Sequence, residues 1–336
     1  LPGGVNAADI NRTYAVRVRH LVSGNSCWGT LKIDVKIPPV VVCEDFDLPC
    51  NVPDIAPDYL FLNGLATATQ AFPVVTDCDD YTSVFKDVVT EQTCATGFTK
   101  IIIRTWTVVD ASGNKSSCSQ TIRFFRPTLA DVDLPESYDG NSAPFFSCTA
   151  VYPTPEWINN AGLEGTPTVF DQTEGCNIGW TYTDERIDVC DATYKILRHW
   201  TIIDWCTNVV LPHTQIIKVV DDVKPVLVCP ANLTVSTDPF NCCATVDLPD
   251  IFVEDACSRI NNVRAMVTTF DPDNLEQTAV YTVPGTLNTF HENNIWDRDT
   301  LAKFGIVQSC LPLGTHTVMY TAEDDCGNVA NCVFQL

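Results

Sequence analysis

Cysteine and carboxylate are the side chains here with the most chemical potential. Seventeen cysteines stand among 336 residues. None shows the Cys-x-x-Cys spacing that prepares a zinc site or a redox dithiol. Cysteine at this level without metal spacing points to disulfides and an oxidising compartment. Cys78, Cys176 and Cys257 each follow an acid-rich turn, and Cys94, Cys190 and Cys310 each precede a recurring strand. The expected pairs are Cys78–Cys94, Cys176–Cys190 and Cys257–Cys310. Cys148–Cys206 and Cys50–Cys118 would tie the front of a repeat to its final hairpin. Other connectivities stay open, because spacing does not fix pairing. A closed loop of about 15 residues is worth roughly 3 kcal/mol in the chain-entropy account. Seventeen is odd, so at least one thiol lacks a partner in the chain; Cys27 is expected to be that one. The adjacent Cys242 and Cys243 are expected to take different partners.

The acids cluster as Asp77-Cys78-Asp79-Asp80, Asp221-Asp222, Asp271-Pro272-Asp273-Asn274 and Glu323-Asp324-Asp325. Several oxygens in one place suit calcium. Asp221, Asp222, Asp324 and Asp325 are the candidates, since a cation held near a joint would stiffen it. None of the clusters has the spaced Asp/Asn loop closed by Glu, so solvated turn residues are the plainer reading. No motif requires a cofactor, and calcium is the one inorganic ligand the sequence suggests.

Signals for catalysis are weak. The five histidines are His20, His199, His213, His291 and His316. His291-Glu292 lacks the second histidine of a zinc-protease helix. There is no Gly-x-Ser-x-Gly elbow and no phosphate-cradling glycine loop. His199 and His316 are expected on a sheet surface. The chain is read as non-catalytic. Acids outnumber bases 42 to 20, giving a formal charge of −22 at pH 7, which opposes binding to nucleic acid or an anionic bilayer. No apolar run is long enough for a membrane span.

The elements that would position these groups are β-strands. One pattern occurs three times: Arg104-Thr-Trp106-Thr-Val-Val-Asp110-Ala-Ser-Gly113-Asn114, Arg198-His-Trp200-Thr-Ile-Ile-Asp204-Trp-Cys206-Thr-Asn208 and Val318-Met-Tyr320-Thr-Ala-Glu-Asp324-Asp-Cys326-Gly327-Asn328. Copies lie about 94 and about 120 residues apart, too far for solenoid turns of about 20 to 50 residues. The spacing therefore predicts whole domains in tandem. Each copy is an alternating, β-branched and aromatic run that ends in an Asp/Asn turn, followed by a second strand. This is the closing hairpin of a β-sandwich. Prolines at Pro38-Pro39 and Pro225 stiffen the joints, and a semi-rigid rod is expected.

The predicted organisation has four parts. Residues 1–38 are the end of an incomplete module, so the chain is expected to be a segment of a longer secreted protein. Residues 39–127 and 128–222 are two complete β-sandwich modules. Residues 223–336 are a module with a long insert at about 258–309. That insert carries Trp296, an aromatic that could stack on a sugar ring from a loop on a rigid scaffold. An extra hairpin with Trp296 packed inward is the plainer alternative.

The run Val226-Leu-Val-Cys229-Pro230-Ala-Asn232-Leu-Thr234-Val235, with Gly314-Thr-His316-Thr-Val-Met-Tyr320 and Asp324-Asp-Cys326-Gly327-Asn328, resembles the hyalin-repeat (HYR) domain. Its marks are a Cys-Pro opening strand and a Tyr…Asp-x-x-Gly-Asn ending. Residues 39–222 resemble the related divergent repeats of giant Bacteroidota surface proteins, although they lack Cys-Pro. The resemblance implies an all-β tandem array of immunoglobulin-like sandwiches, adhesion or surface appendages, and export by the type IX secretion system, as in gliding-motility adhesins. The expected function is a non-catalytic adhesin stalk or surface-filament subunit, secreted to the bacterial cell surface. Its partners would be copies of itself, or a glycan or other cell-surface ligand. The alternatives are a binding module acting through the insert and an accessory segment of a secreted enzyme.

Overall fold

The computed structural model describes residues 9, 12–33, 37–78, 80–270, 276–289, 299–307 and 309–336. The fold is all-β and matches a series of immunoglobulin-like β-sandwiches. An N-terminal hairpin, Thr13–Arg19 with Ser26–Lys32, comes first. The first four-stranded sheet has the order Phe46–Pro49, Lys115–Phe125, Phe98–Asp110, Tyr81–Glu91. Its short first strand runs parallel to Lys115–Phe125 and the other pairings are antiparallel. A second sheet repeats the plan with Phe146–Ser147, Val209–Val220, Tyr194–Asp204 and Ile178–Asp188. The last repeat pairs Gln277–Pro284, Ile260–Phe270, Thr317–Asp324 and Val329–Gln335 in one sheet, and Val226–Leu227, Ile251–Glu254, Asp299–Lys303 and Thr286–Thr289 in another.

The described part of the segment read as an insert is therefore built into the sandwich. Val283, Ala302, Phe304 and Val307 are buried in its core beside Val263, Val318 and Tyr320. Trp296, like Asp271 and Asp273, lies outside the described residues.

Side chains along the recurring strand obey the two-residue period of a pleated strand. Ile102, Arg104, Trp106, Val108 and Asp110 are all buried, as are Ile196, Arg198, Trp200, Ile202 and Asp204. The aromatic and the Asp four residues later thus share the inner face. Burying an arginine is costly unless its donors are paired. The Arg104 guanidinium makes a bidentate pair with Asp87, at 2.9 and 2.8 Å, donates to the Ile55 carbonyl and lies over the Phe85 ring. Arg198 does the same with Asp184, the Pro153 carbonyl and Tyr182. Where the third copy has Val318, its cross-strand neighbour is Val267, so guanidinium and carboxylate are absent together.

Among the described residues, three short α-helices, which the pattern reading did not anticipate, are Pro57–Leu62, Ala68–Ala71 and Pro155–Asn160. Each starts on a local signal. Thr67 and Gln70 form a capping box, and Thr154 caps a helix whose first residue is Pro155. Leu60 and Ile158 plug the cores from these helices and are fully buried.

The chain divides into two compact units. One comprises Leu1–Leu134, Pro167–Trp180 and Ile202–Leu211; the other comprises Pro135–Thr166, Thr181–Thr201 and Pro212–Leu336. The core of the first is centred on Phe46, Leu48, Leu60, Ile102, Ile122 and Phe124. The second has two cores, one around Tyr138, Ile158, Ile196 and Ile217, and the larger one in the last repeat.

Candidate functional site

The recurring Asp closes its own turn. Asp110 accepts the Asn114 backbone N–H and side-chain amide, both at 2.7 Å. Asp324 accepts the N–H groups of Cys326 and Asn328 and the Asn328 amide, at 2.8–2.9 Å. A left-handed residue completes each hairpin, Gly113 and Gly327 in two copies and Asn208 in the other. The turn therefore places an inward carboxylate at one end of the sheet. The next residue donates across to the preceding loop in every copy, from Ala111 to Asp80, Trp205 to Asn177 and Asp325 to Arg259.

Seven disulfides form: Cys43–Cys118, Cys50–Cys176, Cys94–Cys206, Cys148–Cys257, Cys190–Cys326, Cys229–Cys332 and Cys243–Cys310. None of the five expected pairs is among them. Strand length explains three of these corrections. Cys78 and Cys94 flank the 11-residue strand Tyr81–Glu91, and Cys176 and Cys190 flank the equally long Ile178–Asp188. Such a strand spans about 36 Å, whereas a disulfide needs Cα atoms within about 7 Å. Cys257 likewise lies just before the 11-residue Ile260–Phe270, with Cys310 well beyond it.

Parallel register explains the other two corrections. Phe46 lies opposite Ile122 and Pro49 opposite Phe125. Cys43 thus arrives beside Cys118, and Cys50 leaves at the far end of the sheet. Ser147 lies opposite Val220, so Cys148 is at the end of Val209–Val220 remote from the Cys206 turn. Cys27, Cys78 and Cys242 are unbonded and exposed. Of these only Cys27 is expected to be unpaired; Cys242 was expected to have a partner distinct from that of Cys243.

The pairs that do form repeat. Cys50 and Cys148, each just after a short parallel strand, bond to Cys176 and Cys257 of the following repeat. Cys94 and Cys190, each in the loop that joins the two long strands before the closing hairpin, bond to Cys206 and Cys326 in the closing turn of the following repeat. Each of these two joints carries two covalent clamps.

The later joint also gathers three acids. Asp221, Asp255 and Asp324 have ligand oxygens within 4.8 Å of one another and are 5%, 2% and 1% exposed. Asp255 uses Oδ1 to accept the N–H groups of Cys257 and Ser258, and Asp221 uses Oδ1 to accept that of Val223. Oδ2 of Asp221 and Oδ2 of Asp255 are buried with no hydrogen-bond partner. Burial pushes the Asp221 carboxyl above its ordinary value, and the carboxylates of Asp255 and Asp324 push it the same way, against the Ser258 hydroxyl and the Val223 N–H.

Two of the four acids suggested by the sequence belong to this group, Asp221 and Asp324. Asp222 accepts from the Ser147 hydroxyl, and Asp325 from the Asp191 N–H, both on the exposed surface. Asp255 was missed. Its sequence signal is the Asp two residues before Cys257, the spacing of an Asx turn. His199 is exposed as expected, but His316 is buried: its Nε2 lies 2.8 Å from the Pro312 carbonyl, and its Nδ1 accepts the Phe270 N–H. Packing at the end of the Thr317–Asp324 strand encloses it.

The earlier joint solves the same problem differently. Asp204 accepts from Asn177, Cys206 and Thr207. Burial alone would raise its carboxyl, but those bonds outweigh it and hold the group below its ordinary value. Asn177 also donates to the Pro127 carbonyl. Just after the last strand, where the later joint has Asp221, stands Arg126, whose guanidinium reaches the Phe98 carbonyl and Cys206 Sγ.

No helix among the described residues is long and apolar enough to cross a membrane. No curated protein matches the chain. Among solved structures, the extracellular cadherin domains 1–5 of protocadherin gamma B2 align over 97% of this chain at 14% identity with a TM-score of 0.22. The chain spans 64% of that protein, under two thirds of its length. Cadherin-like domains 1 to 4 of zebrafish RET align over 74% of this chain and 57% of theirs, at 11% identity and a TM-score of 0.23. SGBP-B of the Bacteroides ovatus mixed-linkage glucan utilization locus, solved with a mixed-linkage heptasaccharide, aligns over 88% of this chain and 67% of its own, at 12% identity and a TM-score of 0.16. Superpositions this loose carry no argument about function. The specific match is at the C-terminal end, where residues 259–336 match the HYR domain.

Proposed function

We propose that this chain is a non-catalytic, load-bearing segment of a large secreted surface protein. The observation that carries this reading is that four of the seven disulfides join one repeat to the next. Disulfides that only stabilise a small core can stay within it, as Cys43–Cys118 does. Clamps between repeats resist separation of those repeats, which matters where tension is applied along a chain. The HYR match at residues 259–336 and the cysteine chemistry support an extracellular setting. The resemblance of residues 39–222 to Bacteroidota repeats extends the reading to an adhesin stalk or filament subunit on a bacterial surface, exported by the type IX route and used in attachment or gliding. Its division into modules at 1–38, 39–127, 128–222 and 223–336 belongs to the same proposal.

Electron microscopy of the native protein released from cells without reductant tests it. Filaments or thin strands that loosen on reduction are the expected result. Recovery from the cell interior, or compact particles indifferent to reductant, would refute it.

A further inference from the structure

We infer that Asp221, Asp255 and Asp324 form a binding site for a single calcium ion. Three carboxylates buried together carry up to three negative charges, and among the described residues two of their oxygens have no partner. Buried charge persists only when it is paired, neutralised or coordinated to a metal. Ser258 supplies a further observation: its hydroxyl oxygen, beside Asp221, is buried, 3% exposed, and has no partner at hydrogen-bond distance. Asp221 Oδ2, Asp255 Oδ2 and Ser258 Oγ, from two separate segments, are thus buried together without a hydrogen bond, beside an Asp324 whose oxygens are held in its own turn.

The spacing fits the ion. Calcium–oxygen distances are about 2.3–2.6 Å, so ligands on opposite sides of one ion lie roughly 4.6–5.2 Å apart. The three acids offer oxygens within 4.8 Å of one another. Cys148 and Cys257 also border Asp221, but their sulfurs are joined in a disulfide and offer no thiolate. That leaves an all-oxygen donor set, which favours a hard cation over zinc or copper. The earlier joint gives an internal comparison: Asp204 is engaged by Asn177, Cys206 and Thr207, Arg126 stands where the later joint has Asp221, and among the described residues no acidic group forms there. The later joint holds its own turn carboxylate, Asp324, in the same way but adds Asp221 and Asp255 beside it.

The ion would tie the end of Val209–Val220, the loop before Ile260–Phe270 and the closing turn of the last hairpin to one point. It would reinforce the Cys148–Cys257 and Cys190–Cys326 clamps without any change in covalent structure.

The test uses the intact, unreduced 336-residue chain stripped of metal with a chelator. Calorimetric titration with calcium chloride should show one saturable site that Asp255→Asn removes. The thermal midpoint of the parent should rise with each tenfold increase in calcium, and that of Asp255→Asn should not. In metal-free buffer Asp255→Asn should melt no lower than the parent, because the amide oxygen can still accept the Cys257 and Ser258 N–H groups while the unpartnered Oδ2 and its charge are removed. If that variant does not fold, Asp221→Asn takes its place, and the parent titration still decides. A parent that shows neither heat nor a midpoint shift overturns the proposal. So does a calcium response that survives unchanged in both variants, or an equal response to magnesium.

Discussion

Pulling the unreduced chain by its two ends should extend it to only about a quarter of its full length. The disulfides create a short covalent route from Leu1 to Cys50, across to Cys176, along the strand to Cys190, across to Cys326 and on to Leu336. This route contains about 73 residue steps, against about 335 along the backbone, at roughly 3.3–3.6 Å each. The two crossings add 6.3 and 5.3 Å between Cα atoms. The taut, oxidised chain should therefore reach roughly 250–275 Å, and the reduced chain roughly 1,100–1,200 Å. The local pairing expected from sequence would instead give roughly 550 Å, so one experiment separates the two schemes. Single-molecule force spectroscopy with handles at Leu1 and Leu336, with and without a thiol reductant, reads these lengths directly. Replacing Cys50 and Cys176 together by serine should add only about 70 Å, because tension moves to Cys43–Cys118 and Cys94–Cys206. An oxidised chain that extends beyond about 500 Å would refute the reasoning, since a taut chain can be no longer than the shortest covalent route between its ends, roughly 250–275 Å here.

Four further outcomes follow from individual side chains. Arg198→Met strands the partly buried Asp184, whose side chain is 17% exposed, and should cost about 3 kcal/mol in urea unfolding, at the lower end of the range for broken buried pairs; replacing Asp184 as well should recover much of the loss. Asn177→Ala removes the donor shared by Asp204 and the Pro127 carbonyl and should lower stability by about 2 kcal/mol in the same assay. Gly165→Ala would place a Cβ 2.2 Å from the Pro155 carbonyl oxygen, so its thermal midpoint should fall by the equivalent of about 1–3 kcal/mol. In calcium-free solution the raised Asp221 carboxyl contributes stability that is full below its unfolded value of 3.8 and is lost as pH rises through the folded value. The parent should accordingly lose stability relative to Asp221→Asn as pH rises from 3.8 through that window, seen in urea midpoints compared across pH.

What could be read in the sequence depends on the range over which each feature is specified. The alignment of Trp106 with Asp110, and of Trp200 with Asp204, is a consequence of strand period alone. The inward carboxylate and the hairpin it closes are therefore visible in a window of eleven residues. The helix at Pro57–Leu62 is also local, but it is too short to show a helical period and is marked only by its proline and by Leu60 pointing into the core. Arg104 is visible as the first residue of the repeated pattern, yet its partner Asp87 is fixed by antiparallel register, which the pattern does not contain.

The cysteines show why nearness in sequence misled, and also how much more the sequence could have yielded. Pairing Cys176 with Cys190 treats 14 residues as a short loop, when Ile178–Asp188 is a strand that holds its ends apart. Once the strand is recognised, both cysteines must seek partners at opposite ends of the sheet, and the nearest ends belong to neighbouring repeats. The same logic gathers Asp221, Asp255 and Asp324. Each is set by its own local rule: the end of a strand, an Asx turn, a hairpin closure. Their convergence, however, is a property of the joint, held by the two disulfides that the local reading did not foresee. Joint chemistry is thus free to differ between copies while the modules stay alike, and Asn177 with Arg126 at one joint and three carboxylates at the next are two such solutions on one scaffold.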